Sequence, residues 1–158
     1  MKRYKIVELK RSLEELKQDK KYNKYVLFSI VKTLKTLEPI IADIVKEEEK
    51  LYSDEYKTYE NSRLSLLKVY ADKNENGEPI IKDNIVQVTN KYEEFEVEFN
   101  KLKENNKEIL ESTLEKSKSF NEYMEEEVEV EITKFKFEYM PDELLPSEYI
   151  TLEKLLEG

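Results

Sequence analysis

The chain has 158 residues, 40% of them charged, with only 2 Gly and 4 Pro. Its length suits one domain with a real core, but so few turn-formers do not describe a compact sandwich or barrel. The absence of both Cys and His excludes a disulfide framework, a thiolate metal site and any His-based nucleophilic triad.

The charge is unevenly placed. Residues 1–35 hold 11 Lys or Arg against 4 acids, while the remainder holds 16 against 32, within a net charge of −9. Such a split suggests head-to-tail self-association, or a partner bound by one end. Heavy charge can also mark disorder, but 11 Tyr, 6 Phe and a periodic apolar pattern can bury surface. No apolar run approaches the ~20 residues of a bilayer span, and the first residues lack an apolar signal core. A soluble chain, in a host cytoplasm or a virion and without a membrane partner, is expected.

Lys2 to Val7 alternates briefly and reads as a short strand; Leu9, Leu13 and Leu16 then give a short helix one apolar face. A break near Gln18–Tyr22 leads into the longest stretch, Lys21 to Asp72. There Leu27, Val31, Leu34, Leu37, Ile41, Ile44, Glu48 and Leu51 recur at steps of three and four. Tyr52, Tyr59, Leu66 and Tyr70 extend the stripe more weakly. Steps of this size put side chains on one face of a helix, here long enough to suggest a coiled-coil-like arm. Pro39 removes a backbone donor and crowds the preceding turn, so a kink or a meeting of two helices is expected there.

The tip follows. Asn74-Glu75-Asn76-Gly77 is turn chemistry, and Asp83-Asn84 between two apolar pairs reads either as a two-residue hairpin turn or as part of a plain loop. The second arm carries Val88, Tyr92, Phe95, Phe99, Leu102, Asn106 and Ile109 at alternating steps of four and three, continued by Leu110, Leu114, Phe120 and Met124. Asn106 on this stripe would fix register as a buried polar residue, or mark a loosely packed gap. Glu127-Val128-Glu129-Val130-Glu131-Ile132 then alternates strictly, and the phase flips at Thr133-Lys134 before Phe135, Phe137 and Tyr139. A strand of period two with a bulge is expected, paired with Lys2–Val7 or with the same strand of another subunit. Pro141 and Pro146 bracket a turn, and Thr151 to Glu157 reads as a short closing helix.

These elements predict a mainly α fold: a long antiparallel, coiled-coil-like helical hairpin with a small β element near the termini. One domain is expected. It comprises a strand and short helix (1–20), a first arm kinked at Pro39 (21–72), a tip (73–88), a second arm (89–124), and a strand with a closing helix (125–158).

Chemistry-bearing patterns are sparse. Two Gly cannot build a phosphate loop. Glu47-Glu48-Glu49 and Glu125-Glu126-Glu127 are the densest acidic runs, but neighbours on a solvated helix diverge, whereas two-metal hydrolysis needs carboxylates converging on metals about 4 Å apart. No catalytic, cofactor or metal residue is assigned, and no enzymatic activity is expected. Glu125–Glu131 within the acidic stretch Glu122–Gly158 could instead imitate a nucleic-acid backbone toward a basic groove. The basic stretch Lys2 to Lys24, interleaved with Tyr4 and Tyr22, fits single-strand binding only in outline, because Glu8, Glu14, Glu15 and Asp19 interrupt it. A nucleic-acid partner is not expected.

Tyr59-Glu60-Asn61-Ser62-Arg63-Leu64-Ser65-Leu66-Leu67-Lys68-Val69-Tyr70 leads into Ala71-Asp72-Lys73-Asn74-Glu75-Asn76-Gly77-Glu78-Pro79. With Glu127–Ile132 and the segment Leu145–Leu156, this order resembles small tailed-phage proteins of unknown function. Those proteins have a helix pair, a YA-K-(D/N)-E-N-G-P turn and a later EVEV-I strand. The resemblance covers roughly residues 30–156, and the Lys-, Glu-, Asn-, Ile- and Tyr-rich usage also suits an AT-rich phage or host. It implies a phage context and carries over no activity.

Function is therefore read as protein–protein interaction, by helical faces or by strand pairing over residues 127–139. The candidate contact residues are Val128, Val130, Ile132, Phe135, Phe137 and Tyr139. The partner would be a viral or host protein, or a second copy in a homo-oligomer, as for a minor virion or assembly component or an adaptor. The alternative is an inhibitor of host defence, of anti-restriction or anti-CRISPR type, acting as an acidic decoy or by occluding a nuclease.

Overall fold

The computed structural model describes residues 1–17 and 21–157. Gln18 to Lys20, where the expected break ahead of the first arm begins, and Gly158 lie outside them. The described residues form α1 (Arg3–Lys17), α2 (Lys24–Glu49), α3 (Asp54–Tyr70), β1 (Ile81–Lys82), β2 (Ile85–Val86), α4 (Tyr92–Asn105), α5 (Lys107–Glu125) and α6 (Pro146–Glu153). The fold is mainly α with helical-hairpin packing and one small antiparallel sheet, as the sequence predicts. No described helix is long and apolar enough to cross a membrane. Two compact units emerge: Met1–Glu49 with Ser119–Gly158, and Lys50–Lys118.

In the first unit α1 packs on α2. Ile6, Leu9, Leu13 and Leu16 recur at steps of three and four and are all buried, so Ile6 belongs to the helical stripe. The strand expected over Lys2–Val7 is thus the first turns of α1; helical period outcompetes a short alternation. Only Lys2 keeps a strand-like bridge, to Glu127. From α2 the core takes Val26, Ile30, Leu34 and Leu37, and it is closed by Tyr22, Phe135, Leu152 and Leu155. The buried face of α2 is rotated by about one residue from the expected stripe, because Ser29 and Thr33 are also buried. Leu27 and Ile41 fall to its edge, partly covered.

α2 runs unbroken through Pro39. The proline is exposed, so the Lys35 carbonyl that it cannot satisfy faces water, which can hydrogen-bond it. The first arm breaks instead at Lys50–Ser53. There Ser53 caps α3, its Oγ accepting the Tyr56 N–H at 3.2 Å, and Asp54 and Glu55 occupy the positive end of the helix dipole.

In the second unit α3 packs on α4, with Tyr70 edge-on to Phe95 and Phe95 stacked on Phe99. The tip between them is built from backbone pairing. Asp83 and Asn84 adopt φ of 51° and 62°, the left-handed pair that a two-residue hairpin turn requires. They join β1 to β2 in the register Ile81↔Val86 and Lys82↔Ile85. The Asn74 side chain accepts the N–H groups of Asn76 and Glu78, and Gly77 takes φ +80°. Asn106 separates α4 from α5, its Nδ2 donating to the Leu102 carbonyl at 2.8 Å. It is a helix-ending residue, half-exposed.

Candidate interaction surface

The surface begins with the segment that follows α5. Residues 127–136 form no ladder; the expected strand over 127–139 is reduced to two isolated bridges, Lys2↔Glu127 and Phe135↔Leu156. Its backbone is held by other groups. Val128 exchanges bonds with Met1, whose amino group donates to the Val128 carbonyl at 2.7 Å while Val128 N–H donates to the Met1 carbonyl at 3.0 Å. The Thr36 hydroxyl donates to the Glu131 carbonyl at 2.8 Å, and Thr133 N–H donates to Thr33 Oγ1 at 3.1 Å. Phe135 N–H donates to the Leu155 carbonyl, and its own carbonyl accepts Glu157 N–H. Val128, Glu131, Thr133 and Phe135 thus find their backbone partners in Met1, the α2 hydroxyls and the C-terminal turn, where a sheet would have supplied a neighbouring strand.

This places the six sequence-derived contact residues in three settings. Val128, Val130 and Ile132 turn inward and pack, partly buried, against the core. Phe135 is a core residue at 3% exposure, and Phe137, two residues on, is 68% exposed. Tyr139 stacks on Tyr25 with ring centroids 4.1 Å apart, and its carbonyl accepts Asn23 Nδ2. A short 3-10 turn over Phe137–Tyr139 ends the alternation and sends Phe137 outward.

No protein-family model, curated protein or solved structure matches the chain.

Around Phe137 lie residues that periodicity did not single out. Pro146 is the first residue of α6 and not a turn bracket, as suits proline at a position whose N–H needs no intrahelical partner. Glu148 completes that helix start: its Oε2 accepts Leu145 N–H at 2.7 Å, and Lys21 Nζ lies 2.7 Å from both its oxygens. The Lys21 ammonium first, then the Leu145 N–H, hold the Glu148 carboxyl below the usual carboxylate range. α6 turns Thr151 and Leu152 inward, Leu155 just past its end joins them, and Leu145, Tyr149 and Ile150 stay outside. A groove of about 490 Å³ runs between Phe137, Met140, Leu144 and Tyr149. A second, of about 540 Å³, passes Leu16, Leu145 and Ile150. The spacing Leu145–Tyr149 was visible in the sequence. Reading the closing helix as starting at Thr151 cut it in two.

The acidic run divides as well. Lys2 Nζ meets Glu125 at 2.7 Å, and Arg3 meets Glu126 at 2.6 Å while its guanidinium sits 3.9 Å over the Tyr123 ring. Glu127, Glu129 and Glu131 point outward, exposed, as the alternation requires. Among the described residues, no group of three acids converges as a metal site would.

Proposed function

We propose that the protein is a non-enzymatic protein–protein interaction component, a minor virion or assembly part or an adaptor of phage origin. The contact surface in this reading is the apolar rim of Phe137, Leu145, Tyr149 and Ile150. The observation that carries it is the exposure of these four large apolar side chains (43–68%) within fourteen residues, in a chain that is 40% charged. Large side chains beside a groove, ringed by charge, are the composition of an interface centre with a polar rim. The resemblance of the turn and EVEV-I patterns to small tailed-phage proteins supports the context.

The test is capture of partners from the phage-infected host with tagged protein after nuclease treatment, read by mass spectrometry. Phe137→Asp with Ile150→Asp is expected to lose the captured protein while helical circular dichroism and Tm stay unchanged. Phe135→Asp serves as the fold-breaking control, since it would bury a charge in the core. Undiminished capture by the rim variant overturns the reading. If the captured protein is a nuclease and its binding falls steeply with salt, the reading is replaced by that of an acidic inhibitor.

A further inference from the structure

α2 has a second exposed face, opposite the core, that the rim does not use. Lys24, Phe28, Lys32 and Lys35 follow at steps of four, four and three, and so stand on one side of the helix. All four are exposed, Phe28 by 57%. Among the described residues, Lys32 and Lys35 meet no acidic partner, and Lys24 approaches the neighbouring Tyr25 ring at 5.0 Å. In the same unit the segment after α5 carries Glu127, Glu129 and Glu131 outward, none of them in an ion pair with another described residue.

The two strips are opposite in sign and comparable in length. Lys24 to Lys35 covers about 17 Å of helix axis, and Glu127 to Glu131 covers about 13 Å at the rise of an extended chain. They also meet: the Thr36–Glu131 hydrogen bond fixes the Glu131 end of the acidic strip to α2 one residue past Lys35, while its Glu127 end is held beside Lys2. A surface on which a positive strip meets a negative strip of comparable length is self-complementary. A two-fold axis between two copies brings each lysine strip onto the other copy's acidic strip and makes both contacts at once. Phe28, within the lysine strip, supplies the apolar anchor that charge pairs alone lack.

We infer that the protein forms a two-fold dimer through this face, the α2 lysine–phenylalanine strip of each copy lying along the Glu127–Glu131 strip of the other. The occupant is a second copy of this chain. The dimer is independent of the Phe137–Ile150 rim.

The test uses the full chain in sedimentation velocity, with two charge-reversed variants: Lys24→Glu/Lys32→Glu/Lys35→Glu, and Glu127→Lys/Glu129→Lys/Glu131→Lys. Wild type is expected to dimerise, and each variant alone to self-associate more than roughly tenfold more weakly, since like charges face each other twice. Mixed, the two variants should restore a heterodimer, because every reversed strip then meets its opposite. Phe28→Asp in both should abolish it. Lys68→Glu/Lys91→Glu/Lys118→Glu carries the same net charge as the first variant and should still dimerise, which separates the strip from general repulsion. The inference is overturned by a monomeric wild type, by variants that self-associate undiminished, or by a mixture that fails to pair. The rim variant Phe137→Asp/Ile150→Asp should dimerise as wild type does, so this surface and the rim stand or fall separately.

Discussion

At the scale of single residues, Asp72 does the most with one side chain. Its Oδ2 accepts Thr89 N–H at 2.8 Å and also the Thr89 hydroxyl, and its Oδ1 accepts the Asn90 N–H and Nδ2 at 3.1 and 2.8 Å. Its backbone donates to the Gln87 carbonyl and accepts Ile80 N–H. One carboxylate thus ties the end of α3 to the residues that lead into α4. The Thr89 hydroxyl first, then the Asn90 N–H, hold its carboxyl below the ordinary value of 3.8. A depressed folded-state value means that the carboxylate's contribution is fully present above about 3.8 and is lost as pH falls through the lower folded value. An NMR titration of the Thr89 and Asn90 amides should therefore show a midpoint below 3.8. A midpoint at or above it would contradict the network, and Asp72→Ala should remove the transition altogether.

Helix periodicity made the helical character of both arms and of the later part of α1 legible at the scale of elements, because steps of three and four in apolar residues report a buried face directly. It did not show the breaks at Lys50–Ser53 and Asn106. The hairpin turn was legible for a different reason: Asp83-Asn84 tolerate positive φ, and few other pairs do. The exact face of α2 was not, since Thr33 is buried by a bond to Thr133, one hundred residues away, and no local pattern encodes that. The 127–136 segment misled for a related reason. Its alternation was real and correctly assigned inside and outside, but its backbone partners are threonine hydroxyls and terminal residues, so the period of a strand appears without a sheet. Pro39 misled in the opposite direction: a breaker in sequence, it sits on the exposed face where its missing bond is harmless to the core. Pro39→Ala restores an N–H for the Lys35 carbonyl and removes the ring's crowding. It should raise stability by up to roughly 3 kcal/mol, read as the denaturation midpoint at unchanged m-value. A fall in stability would mean that the proline's geometry is required for α2 to follow α1.

For the molecule as a whole, the charge split of the sequence finds part of its answer within one chain. Lys2 with Glu125, Arg3 with Glu126 and Lys21 with Glu148 join residues more than 120 apart, inside a single unit. These pairs lie at the surface and contribute little each; they orient the ends, while the stabilising burial lies elsewhere. That burial is unequally shared. The first unit gathers twelve buried residues in one cluster, whereas α4 and α5 contain none and α3 only Tyr59. Since local opening free energy follows buried apolar contact, the second unit should open more readily than the first. Hydrogen exchange by mass spectrometry should find amides in α1 and the first half of α2 exchanging at least about tenfold more slowly than those in α4. Both regions are regular helix, so intrinsic helix hydrogen bonding cannot produce the difference, and equal protection would show that α4 is covered by something other than its own unit, such as a bound partner or a second copy. Repeating the exchange with the Phe28→Asp chain reads the share of the α2 dimer: if dimer formation contributes, slowing in α2 is lost while α4 is unchanged.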